Sequence, residues 1–181
     1  MTFNPWQSLL DSARAGGDWA WAEIYHRYAP RVRGYAVSQG VADPDNLVGE
    51  VFLQAVRNLA TFTGDEGSFR SWLFTIAHRR VLDDRRRVRR RPEELTGVPP
   101  DAATEPAAED RALDRIGSDW LRQGLESLTT DQSRVLALRV IADLSIGEVA
   151  EVVGKRPGAV KALQHRAIER LRKTLKEPVS K

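Results

Sequence analysis

The chemistry available to this sequence is concentrated in a run of basic residues. His78, Arg79 and Arg80 are followed by Arg85, Arg86, Arg87, Arg89, Arg90 and Arg91. A guanidinium group is a planar fork of donors that fits phosphate, and each phosphate neutralised releases counterions. The arginine run is therefore expected to meet nucleic acid. Beside it stand Phe62, Phe69, Trp72 and Phe74, rings of the kind on which unpaired bases stack. Most of these rings, Trp72 among them, are expected to belong to the domain core. A second basic set comprises Lys155, Arg156, Lys161, His165 and Arg166, interleaved with the small residues Ala159 and Ala162. Small residues let a helix backbone approach a groove, where an alanine methyl can touch a thymine methyl. Lys155 and Arg156 would guard the start of that helix, whose backbone amides favour phosphate.

Catalytic residues show no such concentration. His26, His78 and His165 fall in different segments, and the sequence holds no HExxH, phosphate loop, nucleophile elbow or glycine fingerprint. Asp83 and Asp84 are adjacent, so on a helix they point about 100° apart and are expected to pair with the surrounding arginines, not to share a metal. The absence of cysteine excludes disulfides and thiolate metal sites. No catalytic residue, metal site or cofactor is expected. No stretch approaches the roughly 18 uninterrupted apolar residues of a membrane span, and the N-terminus lacks the basic start and apolar block of a secretory signal. With 41% hydrophobic and 29% charged residues and a mean hydropathy of −0.43, the chain is expected to be soluble and cytoplasmic, without membrane insertion.

The elements that must position these side chains can be traced along the chain. The formal net charge of +3 over 181 residues hides an asymmetry, because residues 1–91 and 119–181 are both net basic while 92–118 is net acidic. Residues 92–110 contain four prolines, six acids and no basic residue. With few bulky apolar side chains, such a segment cannot offset its ordering entropy. It is expected to be a flexible tether, kept extended by its prolines, that spans a distance instead of docking its neighbours tightly. No alternating strand pattern is visible, so the fold is expected to be all-α, with small helical domains at 1–91 and 119–181 joined by the acidic linker 92–118.

In the first domain, a helix from Asp18 to about Gln39 should break at Pro30. The next opens with Asp43 as N-cap and Pro44 at its first position. Leu47, Val48, Val51, Phe52, Ala55 and Leu59 then fall within roughly 140°, forming one buried stripe. Opposite lie Asn46, Glu50, Leu53 and Arg57, with Gln54 at the edge; a leucine among polar residues marks a candidate partner surface. A third helix should begin near Ser68. In the second domain, Thr130 should cap one helix, and Ser145 with Glu148 should form a capping box on a short one. Gly154 should end that helix, and Pro157 should open the last. This is the spacing of a helix-turn-helix. On the last helix Val160, Leu163, Ala167, Leu171 and Leu175 share the inward face, while Ala159, Ala162, His165 and Arg166 face outward, flanked by Lys161.

These segments resemble a known family. WAEIYHRYAPRVRGYA, DPDNLVGEVFLQAV and FRSWLFTIAHRRVLDDRRR follow the order of region two of bacterial RNA polymerase sigma factors. LESLTTDQSRVLALRVIADLSIGEVAEVVGKRPGAVKALQHRAIERLRKTL is similar to their region four. With nothing substantial between them, the chain resembles the two-domain extracytoplasmic function (ECF) sigma factors. The resemblance implies that Asp43, Asp45, Asn46, Glu50, Leu53, Gln54 and Arg57 dock on the β′ clamp helices of core RNA polymerase, while region four meets the β flap. It implies that Phe62, Arg70, Trp72, His78, Arg79, Arg80, Arg86 and Arg87 read and melt the minus-ten promoter element and hold the non-template strand. Lys155, Arg156, Ala159, Lys161, Ala162, His165 and Arg166 would read the minus-thirty-five element in duplex DNA, and the tether would thread through the polymerase. An anti-sigma factor is the implied inhibitor. Against the usual pattern, Gly49 stands where glutamine is common, Asn46 where an acid is common, and His78 and Arg79 where arginine and asparagine are common. Arg156 and Ala159 replace frequent hydroxyl residues. The alternative reading is a stand-alone helix-turn-helix transcriptional regulator, against which the arginine-and-aromatic helix of the first domain counts.

Overall fold

The computed structural model describes residues 5–90 and 124–176, with side chains through residue 174. Among the described residues the structure is helical throughout. Helices α1 (Pro5–Arg14), α2 (Asp18–Ser38), α3 (Pro44–Asn58) and α4 (Glu66–Arg90) form one group, with a 3₁₀ turn at Leu59–Thr61 between α3 and α4. Helices α5 (Thr130–Val140), α6 (Ile146–Val153) and α7 (Pro157–Lys176) form the other. The tether expected at 92–118 lies outside the described residues, as does the side chain of Leu175.

Local chemistry accounts for the helix ends. Asp43 accepts a hydrogen bond from the Asn46 N–H at 2.9 Å and Pro44 follows it, so α3 starts where expected. Helix α4 begins earlier than Ser68, because Asp65 Oδ1 accepts from the Ser68 N–H at 2.8 Å and nucleates the turn from Glu66 onward. The cap of α5 is Thr129, one residue before the expected Thr130; its hydroxyl accepts from Gln132 N–H while Gln132 reaches back to the Thr129 N–H. Ser145 and Glu148 make the expected reciprocal box on α6. Gly154 closes that helix in the left-handed region at φ 65°, where a side chain would be strained.

Pro30 does not break α2, which is continuous across it. A mid-helix proline costs about 3 kcal/mol, and two features offset that here. The ring is on the exposed side, so the carbonyl it leaves unbonded can meet water. Tyr28, Ala29, Val32, Tyr35 and Ala36 bury the opposite face on both sides of it.

The core of the first group is aromatic. Phe69 is fully buried and touches four rings, with centroids 5.1 Å from Trp6, 5.6 Å from Tyr28, 5.5 Å from Phe62 and 5.4 Å from Trp72. In α3 the stripe Leu47, Val48, Val51, Phe52 and Ala55, continued by Leu59, is buried as the periodicity requires. The second group packs α7 against α5 and α6 through Val160 and Ala167, with Leu163 half-buried.

The two groups are docked on each other, contrary to the separation that the composition between them implied. Helix α6 packs on α4 and α5 on α2, and the buried residues form one continuous cluster. The physical reason is that α6 is apolar on more than one side: Val149, Ala150 and Val152 are buried and Val153 packs partly on the same cluster.

Candidate nucleic-acid and partner interfaces

Helix α3 positions the first surface. Leu53 is 59% exposed, and Val56, one turn on, is 50% exposed. Around this apolar pair lie exposed Asn46 and Arg57 and half-buried Glu50 and Gln54. Arg80, reaching over from α4, donates to Gln54 Oε1 at 3.0 Å and lies 3.5 Å from a Glu50 carboxylate oxygen. Asn46 donates to Glu50 at 3.4 Å. Asp43 is committed to the helix cap, and Asp45 is paired with Arg33 at 2.8 Å. Sequence reasoning passed over Val56; its spacing of three from Leu53 was the available signal, since those positions adjoin on a helix.

The second surface runs along α4. The loop before it holds Gly64 at φ 150°, where an added Cβ would lie 2.7 Å from Ser68 Cβ, so only glycine fits. Phe62, expected at the minus-ten contact, is buried: its ring lies 5.1 Å from Trp72 and edge-on to Phe69. Trp72 is half-buried, so part of its ring belongs to the core and part is open. Arg70 is paired with Asp143 at 3.2 Å. Arg79 is exposed, as are Arg86 and Arg87, which rest on the carboxylates one turn earlier at 3.4 Å from Asp83 and 2.8 Å from Asp84. The two aspartates thus pair with arginines, as expected. Arg85, one of the same run, is a structural clip that donates to the backbone carbonyl of Gln39 at 3.0 Å.

His78 departs from its expected place on the DNA face. It is 5% exposed, and its Nδ1 lies 2.9 Å from the Tyr35 hydroxyl. Burial, with Arg134, Arg85 and Arg79 nearby and Asp131 opposing them, brings its pKa down to about 4, while burial raises that of Tyr35. The ring is therefore neutral and shares one hydrogen bond with the tyrosine hydroxyl. A histidine whose pKa is lower folded than unfolded stabilises the fold above about pH 6.5, and that stability is lost as pH falls toward 4. Between pH 7 and pH 5 the loss should be about 2 kcal/mol by urea unfolding, and smaller by about that amount in His78→Gln. Equal pH dependence in both proteins would contradict this account.

The third surface is the outward face of α7. Lys155, Arg156, Ala159, Lys161, Ala162, His165 and Arg166 are all exposed, while Val160 and Ala167 beneath them are buried. Lys155 is held 3.0 Å from Asp131, which ties the turn before α7 to the start of α5. Arg139 on α5 donates to the Leu144 carbonyl in the turn before α6 and, at 3.2 Å, to Gln164 on α7, tying the three together.

A helix-turn-helix with a clear basic face, beside a helix that carries arginines away from an aromatic cluster, defines a two-module, all-helical DNA-binding protein. Two family models assign the modules. Sigma-70 region 2 matches residues 24–91, and Sigma-70, region 4 matches residues 118–171. The chain is 35% identical over 170 residues to the ECF RNA polymerase sigma factor BldN of Streptomyces coelicolor, covering 92% of this chain and 64% of BldN. It is 33% identical over 133 residues to the ECF RNA polymerase sigma factor ShbA of Streptomyces griseus, covering 71% of this chain and 69% of ShbA. The fold is similar to that of the sigma factor RpoE of Bartonella quintana, solved with the anti-sigma factor NepR, at a TM-score of 0.65 and 23% identity over 88% of this chain and 98% of that one. The chain belongs to the ECF sigma factors of bacterial RNA polymerase, a family of transcription-initiation factors. Among the described residues, no helix is long and apolar enough to cross a membrane.

Proposed function

We propose that this chain binds core RNA polymerase and directs initiation at a specific set of promoters, with three surfaces dividing the work. The observation that carries the proposal is the exposed Leu53–Val56 pair beside the Arg80–Glu50–Gln54 network. The face of Asn46, Glu50, Leu53, Gln54 and Arg57, with Val56 added, docks on the β′ clamp helices, and the region-four helices meet the β flap. Arg79, Arg86 and Arg87, with the open part of Trp72, engage the minus-ten element and the melted non-template strand. The α7 face reads the minus-thirty-five element. We place the domain boundaries at 1–91, 92–118 and 119–181 and the site of action in the cytoplasm, where polymerase and DNA meet. An anti-sigma factor that covers the clamp-facing surface is the proposed inhibitor. Nothing in this reading requires a catalytic step or a cofactor of the chain itself.

The roles of the basic residues separate experimentally. Arg86→Ala, which loses a phosphate-type contact, should weaken every promoter alike and lower the salt slope of holoenzyme binding by about one unit. Lys161→Ala or His165→Ala should change which minus-thirty-five sequences are preferred. Promoter selection from a randomised library tests both, and an unchanged profile for the α7 variants would show that another face of that helix does the reading.

A further inference from the structure

We propose that Arg14, at the end of α1, is a positioning residue for minus-ten recognition: it fixes the entry to loop 63–65 so that the loop meets DNA in one conformation. The inference rests on the sigma-factor reading above, in which Trp72 and the adjoining part of α4 engage the minus-ten element. Thr63, Gly64 and Asp65 are all exposed and lead directly into α4. Phe62, the residue before them, sets its buried ring 5.1 Å from that of Trp72, so the loop starts beside that indole. Helix α1 lies ahead of residues 24–91, the segment matched to region two.

The exit of the loop is held by α4 and α2. Asp65 Oδ1 accepts from the Ser68 N–H at 2.8 Å. Glu66 accepts from Arg27 at 2.7 Å and from the Tyr28 hydroxyl at 3.2 Å, which pins the first turn of α4 to α2. The entry is held from α1. Phe62 is extended at φ −75° and ψ 135°, and its carbonyl accepts from Arg14 Nη2 at 2.7 Å across 48 positions of sequence. A hydrogen bond from a charged donor is shorter and stronger than one between neutral groups. Gly64 lies back on the Phe62 ring, where an added Cβ would be 3.2 Å from Phe62 Cζ, so a shift of Phe62 is passed on to the exposed residues.

Arg14 is itself held in place. Its Nη1 donates to Asp11 Oδ1, one turn earlier, at 2.7 Å, and Gln7 donates to the same oxygen at 3.1 Å. The helix that carries it is fixed by the buried side chains of Trp6, Leu9, Leu10 and Ala13. Trp21 on α2 donates from Nε1 to the Ala13 carbonyl at 3.1 Å. The turn between the two helices is tight, since an added Cβ at Gly17 would lie 2.5 Å from Ser12 Oγ. The planar guanidinium thus bridges two fixed acceptors, a carboxylate on its own helix and the carbonyl that opens the loop, as its fork of donors allows. A loop held this way has less ordering to do when DNA binds.

A wrong base pair typically costs about fivefold to about 150-fold in binding, and freeing the loop should remove about fivefold of that discrimination at the minus-ten element. Promoter selection from a library randomised at both elements, with core polymerase and the full-length chain, measures it. Arg14→Ala should discriminate about fivefold less among minus-ten bases, while its minus-thirty-five preference, salt slope and core polymerase affinity match the wild type. Arg14→Lys keeps a charged donor and should recover most of the discrimination. Asp11→Asn keeps the guanidinium but releases it, and should lose part. An unchanged minus-ten profile for Arg14→Ala would overturn the proposal and leave the sigma-factor reading standing. So would a salt slope lower by about one unit with the profile intact, the mark of a direct phosphate contact, or an equal loss at both elements with a lower urea midpoint, the mark of a general loss of packing. A wild-type chain that gives no transcripts and binds no core polymerase would overturn the sigma-factor reading, and this proposal with it.

Discussion

Replacing Phe69 with alanine should lower the unfolding free energy by about 4 kcal/mol. Phe69 is fully buried and its ring meets those of Trp6, Tyr28, Phe62 and Trp72. Those partners come from α1, α2, the loop before α4 and α4 itself, so the cavity would open where four segments converge and no single side chain could fill it. Typical domain stabilities are about 5–15 kcal/mol, so a loss of this size removes from about a quarter to about four-fifths of that. Aromatic ring pairs add about 0.5–1.5 kcal/mol beyond area burial, which places Phe69 toward the upper end of the range for such truncations. Urea unfolding followed by tryptophan fluorescence reads it directly, since Trp6 and Trp72 flank the site. A cost below about 1 kcal/mol would mean that the aromatic cluster is not the keystone of the fold.

The second large effect lies at the surface and should leave stability untouched. Leu53→Glu puts a charge at the centre of the exposed apolar pair. Because Leu53 is 59% exposed, the folded chain loses little packing. At a protein interface, an apolar anchor surrounded by polar residues that exclude water typically carries about 2 kcal/mol or more, equivalent to about thirtyfold in affinity. The expected result is therefore a loss of core polymerase binding by that factor or more, with an unchanged urea midpoint and unchanged binding of α7 to duplex DNA. Val56→Glu should have a similar but smaller effect, because Val56 lies one turn away and presents less apolar area. If Leu53→Glu bound core polymerase as well as the wild type, the docking face would have to be sought elsewhere, with exposed Trp19 and Tyr25 on α2 the next place to look.

The helix-turn-helix was legible because every signal in it is local. Ser145, Glu148, Gly154 and Pro157 specify their own backbone geometry, and the alternation of Val160 and Ala167 with Lys161, His165 and Arg166 assigns the two faces of α7 without reference to anything distant. The buried stripe of α3 and the exposure of Leu53 were legible for the same reason. What escaped the sequence depended on tertiary partners. His78 looked like part of the basic run, but its environment is set by Tyr35 on α2 and Arg134 on α5. Arg85 and Arg87 are two positions apart and chemically identical. One clips the end of α2 while the other lies exposed beside Asp84, and only the approach of Gln39 distinguishes them. Pro30 misled because the rule against mid-helix proline takes no account of an exposed ring over a well-packed opposite face. The docking of the two helical groups was hidden by the composition between them, which describes the joint and not the surfaces it brings together.

The central claim is that this chain gives core RNA polymerase a promoter specificity that the core lacks. Run-off transcription of a genomic fragment library by purified core polymerase, with and without the full-length chain, measures this directly. The account predicts transcripts that appear only when the chain is added and that share two upstream elements at a fixed spacing. No transcripts and no binding to core polymerase, from a chain that binds duplex DNA by itself, would contradict it and identify a stand-alone regulator instead.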